Sequence, residues 1–116
     1  MLVVDDETAL VRALRRTLAA EFEVTVADSG RGGSAILAAA DAEYDVILCD
    51  LMMPDLSGMD LHDELARTRP ELARRMVFMT GGAFTPRARQ FLATVGNRRI
   101  EKPFEFSQLV TLLRTL

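Results

Sequence analysis

The stretch VILCDLMMP, residues 46–54, decides the fold of this chain. Its first four residues, 46–49, are apolar and have the length of a strand that is buried on both faces. Asp50 follows at once, before the chain has turned, and Pro54 ends the strand. A carboxylate at the tip of a buried strand indicates that this end of the predicted sheet has a chemical role.

Similar runs recur along the chain and extend this pattern to a whole sheet. Residues 2–4 and 76–79 are again continuous and apolar, whereas residues 22–27 alternate in polarity and residues 99–101 are polar around Ile100. Continuous runs are typical of central strands in a parallel sheet, and the weaker runs suit its edges. The sequence therefore predicts five strands, near residues 1–5, 22–27, 44–50, 75–80 and 98–102.

Helical patterns separate the predicted strands. Ser57 has the position of an N-cap with Asp60 three residues later, and Thr85-Pro86 has the form of an N-cap followed by the first helical residue. Alternating strands and helices predict five βα units around a parallel sheet. The expected fold class is α/β, a flavodoxin-like doubly wound (βα)5 sandwich with strand order 2-1-3-4-5. A Rossmann nucleotide-binding domain is disfavoured because no G-x-G-x-x-G follows the first strand.

Composition narrows the possible functions. The 116 residues suit one domain, residues 1–116, and about half of them are apolar, which is enough for a core. A net charge of −3 disfavours contact with nucleic acid, and the absence of a long apolar run disfavours contact of this domain with a membrane. The single cysteine, Cys49, permits no internal disulfide, so a cytoplasmic location is expected.

The carboxyl ends of the predicted strands carry residues with chemistry. The strands end in Asp5-Asp6, in Asp50, in Thr80 and in Lys102, which is the only lysine of the chain. Because ligands of open α/β sheets bind at this edge, we expect these side chains to lie close together. Clustered carboxylates would repel one another without a cation, and oxygen ligands of this kind suit Mg²⁺. The set predicts a phosphoryl-transfer site in which a carboxylate is the nucleophile.

Four short blocks carry a resemblance to a known family. The blocks LVVDDE, ILCDLMMP, FMTGG and EKPF resemble the signature blocks of the response-regulator receiver domain of bacterial two-component signalling. The resemblance covers essentially the whole chain, with the blocks in the family's order and spacing. A single block is weak evidence, but four blocks in register are specific.

The resemblance implies a role for each site residue. It makes Asp50 the acceptor of a phosphoryl group from a histidine kinase or a histidine phosphotransfer domain, Thr80 the switch hydroxyl and Lys102 the cation that pairs with the phosphate. It also implies a cis peptide bond between Lys102 and Pro103. Finally, it implies that Mg²⁺ is held by three carboxylates and one backbone carbonyl, those of Asp5, Asp6, Asp50 and Met52.

One position departs from the family pattern. Receivers usually carry an aromatic residue three positions before the lysine, and this chain has Arg99 there. A guanidinium resists burial without a partner, so Arg99 should point to solvent. This departure puts in doubt the usual coupling between Thr80 and that position, and with it the family's usual output surface on its fourth helix, fifth strand and fifth helix.

Two alternative functions remain open at this stage. One is a small Mg²⁺-dependent phosphatase of the haloacid-dehalogenase type, which also uses an aspartate nucleophile. That class normally has a D-x-D motif after the first strand, whereas this chain has the run 5–7, Asp-Asp-Glu, and no cap insertion. The other is a receiver-like interaction module that is never phosphorylated, although such a module has no reason to keep mutually repelling acids.

Simpler structural roles are also possible for three side chains. Asp6 could cap the first helix, Cys49 is expected to be a small buried core residue, and His62 is expected to be a surface residue. The position of the predicted elements at both ends of the chain leads us to expect a piece cut from a longer protein. The tail blocks TGGAF, NRR and EKPF resemble receivers attached to hybrid sensor histidine kinases, and such a protein is the expected parent.

Overall fold

The chain folds as a parallel sheet between two layers of helices. The structure, a computed structural model, describes residues 1–82 and 85–116; Ala83 and Phe84, which belong to the TGGAF block, lie outside the described residues. In order, the elements are β1 Leu2–Val4, α1 Thr8–Leu18, β2 Thr25–Ala27, α2 Gly30–Leu37, β3 Ile47–Asp50, α3 Gly58–Thr68, α4 Pro70–Arg74, β4 Met76–Thr80, α5 Pro86–Thr94, β5 Arg99–Glu101 and α6 Phe106–Arg114.

The sheet has the predicted strand order. All neighbouring strands pair in parallel, in the order β2-β1-β3-β4-β5. Every residue of β1, β3 and β4 is buried, as their continuous apolar runs predict for central strands. The strands β2 and β5 lie at the edges and are partly exposed. The predicted α/β fold class and its flavodoxin-like topology are therefore confirmed.

Each face of the sheet packs against its own helices. Alternate strand residues point to opposite faces, so Phe78 and Cys49 join one core cluster with side chains from α2, α3, α4 and α5. Leu48 and Met79 join the other cluster, with side chains from α1 and α6. Burial on both faces fixes the register of the central strands, since a one-residue slip would exchange the two core faces.

Two elements differ from the sequence prediction. The second strand covers only residues 25–27 rather than 22–27, because the backbone N–H of Phe22 still bonds to the Leu18 carbonyl at the end of α1, 2.8 Å away. Phe22 packs against the core without joining the sheet. Its apolar side chain therefore gave this part of the sequence the alternating polarity that is typical of a strand. The short helix α4 was not predicted; it begins at Pro70 and is too short to show a helical period. In the part of the chain that the structure describes, no helix meets the length and hydropathy needed to span a bilayer.

The predicted starts of two helices are confirmed. The Ser57 hydroxyl accepts a hydrogen bond from the backbone N–H of Asp60 at 3.1 Å, and the Asp60 carboxylate accepts one from the Ser57 N–H at 3.2 Å. Thr85 caps α5 in the same way, through the N–H of Ala88, and Pro86 takes the first helical position. These caps satisfy N–H groups that have no partner within their own helix.

The prediction that His62 is a surface residue was wrong. Its ring is half-buried between α3 and α5, with its centroid 5.3 Å from that of Phe91 and 6.0 Å from that of Phe78. Burial lowers the pKa of His62, against the opposing influence of Asp63. Because the neighbouring sequence is polar, the aromatic contacts across the helix interface could not be read from the local pattern.

Candidate functional site

The fold brings the predicted site residues to one edge of the sheet. Asp5 directly follows β1, Asp50 ends β3, Thr80 ends β4 and Lys102 directly follows β5. Parallel pairing in register places these strand ends side by side, with Asp50 opposite Met79 in the neighbouring strand. The sheet topology therefore assembles residues that are up to 97 positions apart in sequence.

Three carboxylates form the acidic side of the site. One oxygen from each of Asp5, Asp6 and Asp50 lies within 4.8 Å of the other two. Asp5 is fully buried and Asp50 is nearly so, whereas Asp6 is exposed. Asp6 is not the N-cap of α1, which is Glu7, so the capping role considered for Asp6 is wrong. Oxygen donors at this spacing are suited to a hard divalent cation that keeps part of its water shell.

Lys102 supplies the positive charge of the site. Its Nζ atom lies 2.8 Å from Asp5 Oδ2, 3.6 Å from Asp50 Oδ1 and 3.8 Å from Glu7 Oε2. Burial lowers the pKa of Lys102, but the hydrogen bond to Asp5 and the nearby carboxylates outweigh that effect and hold it above its usual range. Lys102 therefore stays an ammonium and links the two buried acids. The cis bond between Lys102 and Pro103 that the resemblance implied is present.

The Asp50 carboxyl group lies where its charged form is disfavoured. Burial raises its pKa, and the Asp5 carboxylate adds to that effect, so that the pKa of Asp50 reaches about 6. Lys102 and the nearby backbone N–H of Met52 oppose the rise. At neutral pH Asp50 is therefore an ionised carboxylate held in an unfavourable setting. Such a group is well prepared to bind a cation or to act as a nucleophile.

The remaining neighbours of Asp50 are uncharged. Thr80 is buried at the end of β4, and its carbonyl accepts a hydrogen bond from the Lys102 backbone N–H at 2.7 Å. Cys49 is fully buried, as predicted, and burial raises the pKa of its thiol far above the usual range. Met52 lies in the next loop with an exposed side chain, and the role of its carbonyl as a metal ligand stays a prediction.

Comparison with known proteins agrees with this geometry. Residues 1–114 match the response regulator receiver domain family, which is nearly the full length of the chain. The chain belongs to this family. A receiver domain from Clostridium thermocellum superposes with a TM-score of 0.83 at 27% identity, over 98% of this chain and 90% of that one.

Curated relatives place the receiver in longer proteins. It is 34% identical to the probable transcriptional regulatory protein TcrX of Mycobacterium tuberculosis, over 100% of this chain and 48% of that protein. It is 28% identical to the sensor kinase CckA of Brucella abortus, over 100% of this chain and 12% of that protein. The chain thus spans about half the length, or less, of these relatives, and a receiver is the part that they share with it.

Two residues of the receiver site were missed by sequence reasoning. Glu7 approaches Lys102, and its backbone N–H donates to Asp5 Oδ1 at 2.9 Å; only its place in the run LVVDDE could have suggested it. Gly58 begins α3 directly beneath the phosphoacceptor candidate. A Cβ at this position would lie 2.5 Å from the backbone oxygen of Asp50. The absence of a side chain at Gly58 therefore allows α3 to start against the tip of β3.

Replacing Gly58 tests this close approach. We expect Gly58→Ala to lower the free energy of unfolding by about 1–3 kcal/mol, because the overlapping atom belongs to backbone and cannot move without shifting Asp50. Urea denaturation measures the change. Gly96→Ala is the matched control, since a Cβ there would meet no atom within 4 Å among the described residues. Equal stability of the two variants would contradict the close approach.

Arg99 lies where the sequence placed it. It belongs to the edge strand β5, pairs in register with Phe78 and is exposed. The expectation of a solvent-facing guanidinium at this position is therefore confirmed for the state described here. Ile100, its neighbour, turns to the opposite face of the sheet and packs against the cluster formed with α1 and α6.

Proposed function

We propose that this receiver accepts a phosphoryl group from a phosphohistidine onto Asp50, with Mg²⁺ as the required cofactor. The observation that carries the proposal is the arrangement of Lys102, whose ammonium contacts both Asp5 and Asp50 at the edge of the sheet. Membership of the receiver family supports the role of phosphoacceptor. The position of Asp50 at the end of the central strand β3 and its raised pKa support its role as the reacting group.

The donor set fits a divalent cation. The three clustered carboxylates and the Lys102 ammonium have a formal charge of −2 when all are ionised, to which the exposed Glu7 adds one more negative charge, so a divalent ion offsets most of the charge of the site. All candidate ligand atoms are oxygens, the type that Mg²⁺ prefers. When bound, Mg²⁺ would supply positive charge to the transferring phosphoryl group. The residues that would hold it are Asp5, Asp6, Asp50 and the backbone carbonyl of Met52.

The residues around Asp50 have separate roles in phosphoryl transfer. A carboxylate oxygen of Asp50 attacks the phosphorus atom, the bond from phosphorus to the imidazole nitrogen breaks, and the histidine leaves with the electron pair. Lys102, released in part from Asp50, pairs with a phosphoryl oxygen as a point charge. The Thr80 hydroxyl, at the end of the adjacent strand, donates a hydrogen bond to another phosphoryl oxygen.

The proposal also covers the phosphoryl donor and the setting of the receiver. The donor would be a histidine kinase or a histidine phosphotransfer domain, in the cytoplasm, and the receiver would relay or switch a signal. We further propose that residues 1–116 form one domain of a longer protein, with a hybrid sensor histidine kinase as the parent.

Arg99 would remain at the surface after phosphorylation. Hiding an unpaired guanidinium costs several kcal/mol, which is more than the roughly 1–3 kcal/mol typical of coupling between sites.

Phosphorylation by a small donor tests the proposal. Acetyl phosphate with Mg²⁺ should add one phosphoryl group per chain, seen by intact-mass spectrometry, and excess EDTA or Asp50→Asn should prevent the addition. The same samples separate the two alternatives considered from the sequence. Steady turnover of p-nitrophenyl phosphate would indicate a phosphatase, whereas an unmodified mass under all conditions would indicate an interaction module.

A further inference from the structure

The loop of residues 51–57 connects the site to α3 and carries Met52. Both ends of this loop are fixed by backbone hydrogen bonds: the Leu51 N–H donates to the Met79 carbonyl at 3.0 Å, and the Gly58 N–H donates to the Leu51 carbonyl at 2.9 Å. In its middle, Met53 is buried in the core. The residues on either side of Met52 are therefore held, whereas the more exposed outer part of the loop, residues 54–57, needs an anchor of its own.

Asp55 ties the outer part of the loop to a different helix. Its Oδ2 atom accepts a hydrogen bond from the Arg31 backbone N–H at 2.9 Å, and its Oδ1 atom accepts one from the Gly30 N–H at 3.2 Å. These are the first two N–H groups of α2, which have no partner within the helix and carry its positive dipole end. The first turn of α2 holds no acidic residue, so Asp55 supplies that charge from 25 positions away.

The helix and the loop are also in direct backbone contact. Gly30 is buried, and a Cβ added to it would overlap the carbonyl group of Leu56, the residue after Asp55. No side chain separates the two segments at this point. The hydrogen bonds from Arg31 and Gly30 hold the pKa of Asp55 below its usual range.

We propose that Asp55 is a positioning residue for the metal site, which clamps the loop 51–57 to α2 and so sets the place of the Met52 backbone beside Asp50. Pro54 separates Asp55 from the two methionines, and its fixed φ limits how far the backbone between them can adjust to a shift at Asp55. This role rests on the proposed function, since it requires that the site binds Mg²⁺. The clamp lies outside the set of residues that touch the phosphoryl group.

The decisive experiment compares two capping variants of the same helix. Asp55→Ala removes the clamp, whereas Ser29→Ala removes the ordinary N-cap, whose hydroxyl accepts from the Gly32 N–H at 2.9 Å. Both should lower the urea midpoint of unfolding. Only Asp55→Ala should weaken Mg²⁺ binding, by about tenfold, as lost support around a metal ligand commonly does. Amide chemical shifts in an NMR titration with MgCl₂ measure the affinity.

Two further variants separate positioning from general stability. Gly30→Ala should improve the helix propensity of α2 but push the Leu56 carbonyl away, so it should weaken Mg²⁺ binding as Asp55→Ala does. Asp55→Asn keeps one acceptor oxygen and should retain part of the affinity. With acetyl phosphate, saturating Mg²⁺ should restore the phosphorylation rate of Asp55→Ala towards that of the unmodified protein.

The possible results are distinguishable. Equal loss of Mg²⁺ affinity in Asp55→Ala and Ser29→Ala, or no loss in Asp55→Ala while the unmodified protein binds Mg²⁺ and is phosphorylated, would overturn the positioning role alone. An unmodified protein that binds no Mg²⁺ would overturn the proposed function and this inference together.

Discussion

Removing the Asp50 carboxylate should make the metal-free protein more stable. The pKa of Asp50 is raised from 3.8 to about 6, with burial as the main cause, so folding favours its protonated form. The stability linked to this group is fully present below pH 3.8 and is lost as the pH rises through about 6. At pH 7.5 in EDTA, Asp50→Asn should therefore exceed the unmodified protein by about 2 kcal/mol in free energy of unfolding.

The pH dependence distinguishes this effect from a general one. Urea denaturation at several pH values should show the advantage of Asp50→Asn shrinking as the pH falls from 7 to 4, because the unmodified Asp50 becomes protonated and neutral. Asp41→Asn, which alters an exposed acid at the other end of the sheet, is the control and should change stability little. An advantage of Asp50→Asn that is independent of pH would argue against charge as its cause.

Removing the lysine should have the opposite effect. Lys102→Met removes the ammonium 2.8 Å from the fully buried Asp5 carboxylate and leaves that carboxylate only the hydrogen bond from the Glu7 backbone N–H. Leaving a buried charge uncompensated is costly, and we expect a loss of about 3 kcal/mol in free energy of unfolding in EDTA. Mg²⁺ should recover part of this loss, because a cation that binds only the folded protein stabilises the folded state.

The control for this variant retains the charge. Lys102→Arg keeps a cation near Asp5 and should lose much less stability, although it does not reproduce the compact ammonium. Urea denaturation of the unmodified protein and the two variants, each with EDTA and with saturating Mg²⁺, gives the six free energies required. If Lys102→Met matched the stability of Lys102→Arg in EDTA, the ion pair would contribute no compensation to the buried Asp5 carboxylate.

Much of the fold could be predicted because strands that are buried on both faces have continuous apolar sequences. The continuous apolar runs of the central strands require helices on both sides of the sheet, and the weaker runs place the other two strands at its edges, which matches the order 2-1-3-4-5. The same reasoning failed at Phe22, whose burial comes from packing after α1 rather than from the sheet. It also failed at α4, since five residues beginning at Pro70 contain too little periodicity to be recognised.

The charged residues of the site could be predicted from the sequence, whereas the residues that position them could not. Asp50 and Lys102 stand at strand ends, and the topology alone brings strand ends together. Gly58 and Asp55 contact the backbone of other segments. The residues next to them in sequence do not indicate these contacts. His62 illustrates the same limit, because its aromatic partner Phe91 lies on another helix.

The central claim is that the phosphoryl group is carried by Asp50, and locating that group tests it most directly. After reaction with acetyl phosphate and Mg²⁺, borohydride reduces an aspartyl phosphate to homoserine, which leaves a permanent mass change in one peptide. Peptide sequencing by mass spectrometry should find homoserine at position 50 and at no other aspartate. Homoserine at Asp5 or Asp6, or a phosphate retained on His62 or Thr80, would contradict the account.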